Sequence, residues 1–147
     1  MKFLVVLCGL FCLSFVGCGQ DNNTDVSDGA DHLASIIVNE KGEEYMYQQI
    51  TAEEAKGIMD SGEGFVLLDV REQSQFDEGH IPGAVLIPYT EIENKAEAVL
   101  TKKDAQILVY CRSGRRSKIA AESLAKLGYT NVKEFGGIND WPYEIEK

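Results

Sequence analysis

The chain lacks several features that would otherwise decide what it does. It has no excess of basic residues: Asp and Glu number 24 against 14 Lys and Arg, a formal net charge of −10 over 147 residues. Nucleic acid and anionic membrane surfaces are therefore excluded as charge-driven partners. It has two histidines, His32 and His80, far apart in sequence, and four cysteines of which three sit in the first eighteen residues. That is too few ligands for a zinc site, so no metal and no cofactor is expected. The Lys-Ser/Thr ending of a nucleotide-binding P-loop is missing. No apolar run reaches the roughly 20 residues of a bilayer-spanning helix. The longest, from Phe3 to Val16, is about 14 residues. There is no internal repeat, and the length suits one domain.

What that apolar run does have is the layout of a secretory leader, with Lys2 before it and small Gly17 before Cys18. FVGC (Phe15 to Cys18) resembles the bacterial lipoprotein box, with Phe15 where leucine is usual. Cys8 and Cys12 follow bulky Leu7 and Phe11 and do not fit. The resemblance implies a leader over residues 1–17, lipid on Cys18, and a protein held outside the cytoplasm on a bacterial membrane by several acyl chains. Cys111 is then the single free thiol of a mature chain with 13 basic and 24 acidic residues, in a compartment that favours disulfides. Residues 18–44 read as the lipidated cysteine followed by a flexible polar stalk. The sequence leaves open whether Leu33 to Val38 packs on the domain. His32 reads as a solvated residue.

From Tyr45 to the end, over residues 45–147, strand and helix patterns alternate. Tyr45 to Ile50 suits an edge strand. Thr51 with Glu54 spells a capping box for a helix carrying Ala55, Ile58 and Met59. Phe65 to Val70 (FVLLDV) is a continuous apolar run interrupted by Asp69, as in a strand covered on both faces. One helical turn is expected in EQSQFDEG, and a short strand over Ala84 to Ile87. Thr90 with Glu93 spells a second capping box, for a helix with Ile92, Ala96, Val99 and Leu100 on its apolar side. Ala105 to Tyr110 reads as a strand, and Arg116 to Leu127 as a helix burying Ile119, Ala120, Leu124 and Leu127. Val132 to Phe135 reads as the last strand. This order predicts an α/β fold, a mainly parallel sheet with helices on both faces. Ligands of such folds collect at the carboxyl ends of strands, and Cys111 is at one.

The segment YCRSGRRS (Tyr110 to Ser117) places a thiol between a strand and a helix N-terminus. The free N–H groups of a first helical turn and the helix dipole favour an anion there. Gly114 permits backbone angles that turn successive N–H groups inward. Arg112, Arg115 and Arg116 add full charges, two of the three being expected to touch the site. A thiol so placed has its pKa pulled down from about 8.5. Cysteine-dependent phosphatases separate their cysteine and arginine by five residues. Here Cys111 and Arg116 have four between them, and Ser117 stands where the phosphatase arginine belongs. A phosphate-sized substrate is disfavoured.

CRSGRRSKIAAESLAKLGYTNVKEFGGINDW (Cys111 to Trp141) and LLDVREQSQFDEGHIPGAVLIP (Leu67 to Pro88) resemble the two signature segments of the rhodanese-like domain. The resemblance implies a sulfurtransferase whose cysteine takes the sulfane sulfur of a donor such as thiosulfate as a persulfide. Cyanide or a thiol acceptor then removes it. Carried onto this chain, Cys111 is the nucleophile. Arg112, Ser113, Gly114, Arg115 and Arg116 cradle the persulfide and attract a small sulfur-containing anion. Asp69 and Arg71 orient the loop from a neighbouring strand end, His80 satisfies backbone groups in its turn, and Trp141 packs against the core near the site. The same resemblance admits a non-catalytic binding module, or a sulfur carrier loaded by a partner protein.

Overall fold

The computed structural model describes residues 33–147. The leader, Cys18, the polar part of the stalk and His32 lie outside them. Six strands form one sheet in the spatial order β1-β2-β6-β5-β3-β4. These are β1 (Leu33–Val38), β2 (Glu44–Gln49), β3 (Phe65–Asp69), β4 (Val85–Leu86), β5 (Gln106–Cys111) and β6 (Val132–Gly137). The β1–β2 pair is antiparallel and every other pair is parallel. The helices are α1 (Ala52–Asp60), α2 (Gln73–Glu78), α3 (Ile92–Val99) and α4 (Arg115–Lys126).

Two apolar layers cover the sheet. One holds Leu68, Val70, Ile107, Val109 and Cys111 against Ala96 of α3 and Ala120, Ala121 and Leu124 of α4. The other holds Leu67, Leu108, Tyr110 and Phe135 against Ala55 of α1 and Trp141. Along β5 the alternation of Ile107, Val109 and Cys111 with Leu108 and Tyr110 divides one run between the two layers, which is why the strand is apolar throughout. Phe65 to Val70 behaves the same way, and its one acid, Asp69, is fully buried.

Four expectations need correction. Leu33–Val38, read within the stalk, forms β1 and pairs residue for residue with β2 through a turn at Asn39, whose side chain accepts from the Lys41 and Glu43 N–H groups at 2.9 Å. The edge is therefore β1, and β2 lies inside it against β6. The Thr51–Glu54 capping box is formed, but the Thr90–Glu93 box is not. Pro88 starts a 3₁₀ turn over Tyr89–Glu91, so Thr90 already has helical geometry and cannot serve as an extended cap. Finally, Val99 and Ile119 are exposed at 46% and 44%, because α3 and α4 use narrower apolar stripes than the sequence pattern offers.

Candidate active site

Cys111 is the last residue of β5 and Gly114 is the N-cap of α4, so two residues make the whole connection. Gly114 adopts φ +92°, a left-handed conformation that costs other residues about 1–2 kcal/mol. That turn points its N–H at the Cys111 sulfur, 3.2 Å away. Gly137 of β6 allows the loop to lie where it does. A Cβ at Gly137 would stand 2.2 Å from the Arg112 carbonyl oxygen and 2.5 Å from the Ser113 nitrogen. The same carbonyl accepts from the Asn139 N–H at 3.2 Å, which holds it away from the sulfur and leaves the N–H groups facing inward.

The residue is 1% exposed. Burial pushes the Cys111 thiol up, but hydrogen bonds from the Ser117 side chain and from the backbone of Ser117, Ser113 and Gly114 outweigh it, and the net direction is down. A thiol shifted toward its anion at the N-terminus of a twelve-residue helix is an activated nucleophile. The guanidinium groups lie around the mouth of this loop. Arg112 and Arg115 are exposed, Arg116 is half-buried, and none has a carboxylate partner among the described residues. Ser113 is exposed at the rim.

Asp69 and Arg71 form a buried pair at the end of β3. Arg71 Nε donates to both Asp69 oxygens at 2.9 and 3.0 Å, and its Nη2 donates to Asp69 Oδ2 at 2.6 Å and to the Gly79 carbonyl at 2.8 Å. The Arg71 guanidinium lies over the Tyr110 ring at 5.8 Å, and the Tyr110 hydroxyl accepts from the Ile81 N–H at 3.1 Å. The pair thus fixes the residue before Cys111 and the Gly79–Ile81 turn together, without a described bond to the sulfur. His80 lies in that turn. Its Nδ1 faces the Phe76 carbonyl at 3.0 Å and its Nε2 faces Glu146 Oε1 at 3.2 Å. Its backbone exchanges two 2.8 Å hydrogen bonds with Glu146. Trp141 is in the core, 8% exposed, but in the Tyr110–Phe135 layer, not the layer that contains Cys111.

Residues 51–143 match the rhodanese-like domain family. The chain belongs to that family. Over 99 residues it is 37% identical to the putative sulfur carrier protein YrkF of Bacillus subtilis, covering 67% of this chain and 52% of YrkF. Over 73 residues it is 37% identical to thiosulfate sulfurtransferase PspE of Escherichia coli, covering 50% of this chain and 70% of PspE. Among solved structures, a rhodanese with anions from E. coli superposes with a TM-score of 0.53 at 34% identity, over 56% of this chain and 96% of that one. A human single-domain sulfurtransferase superposes at 0.56 with 27% identity, over 63% and 93%. The chain spans about half of YrkF, and these likenesses support sulfur transfer in general as the activity class of this rhodanese-like domain.

Two residues of the site carry more than the sequence reading gave them. Ser117 is fully buried, and its Oγ is 2.9 Å from the Gly114 carbonyl and 2.6 Å from Glu134 Oε1. Glu134, 2% exposed on β6, also accepts from the Gly136 N–H at 2.9 Å. One signal for Glu134 was available: strand alternation places it on the same face as Val132, in the Cys111 layer.

Proposed function

We propose that this rhodanese-like protein moves sulfane sulfur through a persulfide on Cys111. The Cys111 thiolate attacks the outer sulfur of thiosulfate, the S–S bond breaks, and sulfite leaves with the bonding pair. The persulfide anion then sits in the cradle of the loop N–H groups from Ser113 to Arg116. Cyanide or an acceptor thiolate attacks its outer sulfur, and Cys111 leaves as thiolate, ready for another cycle. Arg112, Arg115 and Arg116 attract the anionic donor from the rim. The observation that carries this reading is the sulfur at the α4 N-terminus, with the Gly114 N–H at 3.2 Å and a thiol shifted toward its anion. An intact nucleophile of this kind is not required of a purely binding module. The likeness to a putative sulfur carrier favours a second reading in which a partner protein supplies or removes the same sulfur.

The test is the intact mass of the purified protein after incubation with thiosulfate, beside Cys111→Ser. A gain of one sulfur that cyanide removes and the variant never shows is the expected result. A folded, reduced protein that takes sulfur from neither thiosulfate nor a small persulfide would sink the proposal. The placement outside the cytoplasm and the lipid on Cys18 are also proposed, on the strength of the leader and the FVGC segment alone.

A further inference from the structure

The two edges of the sheet differ in how they are closed. On one side β4 is two residues long and is soon followed by Pro88. A short edge stopped by proline offers a second strand little to pair with. On the other side β1 runs for six residues (LASIIV) with no charge, proline or glycine, and its register with β2 is unbroken by a bulge. It carries none of the devices by which natural edge strands are kept from pairing. The family match starts at residue 51, so this hairpin lies outside the stretch shared with the family.

The hairpin also fixes where the free backbone groups point. The Asn39 N–H donates to the Glu43 carbonyl at 3.0 Å, which makes these two a hydrogen-bonded pair. Such pairs alternate along an antiparallel ladder. Leu33, Ser35 and Ile37 therefore turn their N–H and C=O groups toward β2, and Ala34, Ile36 and Val38 turn theirs outward. The same three residues put their side chains on one face, and all three are exposed, Ile36 and Val38 at 59%. Met46, opposite Ile36 on β2, is exposed at 57%, so an apolar strip runs beside the open edge.

We infer that two copies of this chain associate by pairing β1 with β1, antiparallel, about a two-fold axis through Ile36. Ile36 then faces Ile36 of the second copy, and Ala34 faces its Val38. Each of these pairs exchanges both hydrogen bonds, so every outward N–H and C=O of the three residues is used. An axis one residue to either side leaves Ala34 or Val38 opposite a position beyond β1. On the exposed face, Met46 and Ile36 of one copy continue into Ile36 and Met46 of the other. Charge favours a second copy of this strand over contact elsewhere. With a formal net charge of −10, two copies repel over most of their surfaces, whereas neither brings a charge to β1. The contact is also self-limiting: it consumes the long edge of both copies and leaves only a β4 at each end of the joined sheet. Six residues of edge make a small interface, so association is expected to depend on concentration.

The test is sedimentation of the purified full-length protein from low to high micromolar concentration. It needs no sulfur donor, so its outcome is independent of the sulfur-transfer reading. Wild type should shift from the mass of one chain to that of two. Ile36→Lys and Ile36→Glu should each stay at one, because the axis sets like charges against each other. An equimolar mixture of the two should recover the doubled mass. Ala34→Glu with Val38→Lys in one chain should associate unmixed, and Ala34→Lys with Val38→Lys should not. That pair repeats the register test if a charge at Ile36 unfolds the hairpin. Val85→Lys, on β4 at the far edge, is the control for added charge and should behave as wild type. A wild type of one-chain mass at every concentration, assemblies beyond two chains, like-charge variants that associate as wild type does, or opposite-charge combinations that stay monomeric would each overturn the inference.

Discussion

Gly137→Ala is the substitution for which the structure yields the sharpest expectation. The residue has φ −136° and ψ 155°, which alanine adopts without strain. The difficulty is space. The new methyl group would stand 2.2 Å from the Arg112 oxygen, 2.4 Å from its carbonyl carbon and 2.5 Å from the Ser113 nitrogen. An ordinary C···O contact is about 3.3 Å, so one segment must retreat by about 1 Å. All three neighbours are backbone, and no side-chain rotation relieves them. Forced overpacking of this kind costs about 1–3 kcal/mol, a large part of a typical total stability of about 5–15 kcal/mol. The segment that yields is the connection from Cys111 to α4, and a 1 Å misplacement there lowers rate by about 10²-fold. Gly136→Ala is the matched control. Gly136 has φ +90° and nothing within 4 Å of its Cβ position, so its cost is conformational, about 1–2 kcal/mol, with no push on the loop. Urea midpoints should therefore fall in both variants, while the rate of sulfur loading from thiosulfate, followed by intact mass, collapses in Gly137→Ala alone. Equal loading rates in the two variants would refute the claim that the approach of β6 sets the loop.

Asp69→Asn strands the buried Arg71 guanidinium without its carboxylate, and chemical denaturation should register a loss of about 3–5 kcal/mol. Ser117→Ala removes a donor that stabilises the Cys111 anion, so the thiol pKa rises and less thiolate exists at any pH below the ordinary thiol value of about 8.5. Alkylation by iodoacetamide at neutral pH should slow, with its pH midpoint displaced upward. Arg115→Ala removes an exposed cation that no carboxylate occupies; KM for thiosulfate should rise by up to about fivefold with kcat held, and the difference should shrink as salt is added. Cys18→Ser should abolish incorporation of labelled fatty acid in a bacterial host, and persistence of the label would remove the case for lipid at that position.

The parts of the fold that were legible in sequence are those fixed by local chemistry. Thr51 and Glu54 spell a cap that forms, and the apolar runs ending at Asp69 and Cys111 spell strands buried on both faces. The strand-loop-helix around Cys111 was legible because Gly114 and the start of α4 follow it without interruption. What escaped depended on partners distant in sequence. Leu33–Val38 is a strand only because β2 offers an edge to pair with, and nothing in its own composition supplies that information. The Thr90–Glu93 spacing was right for a cap and failed because Pro88 began a 3₁₀ turn first. Glu134 and Ser117 are seventeen residues apart and meet only because α4 returns against β6. Trp141 packs in the core as expected, and its place with Tyr110 and Phe135 in one layer depends on contacts distant in sequence.

The division of labour around the sulfur follows from these distances. Positive charge clustered in the sequence suggested that arginines stabilise the Cys111 anion. The hydrogen bonds that bring its pKa down come instead from Ser117, Ser113 and Gly114. Most of those donors are backbone groups held by the loop against a buried sulfur, so their effect weakens less with salt than that of a surface charge. Exposed guanidinium groups act differently: they draw an anion toward the rim from a distance, and salt screens them. Each set of groups therefore has its own signature. Changes at the arginines should alter capture of a charged donor and leave the reaction with a neutral alkylating agent almost untouched. Changes at Ser117 should do the reverse.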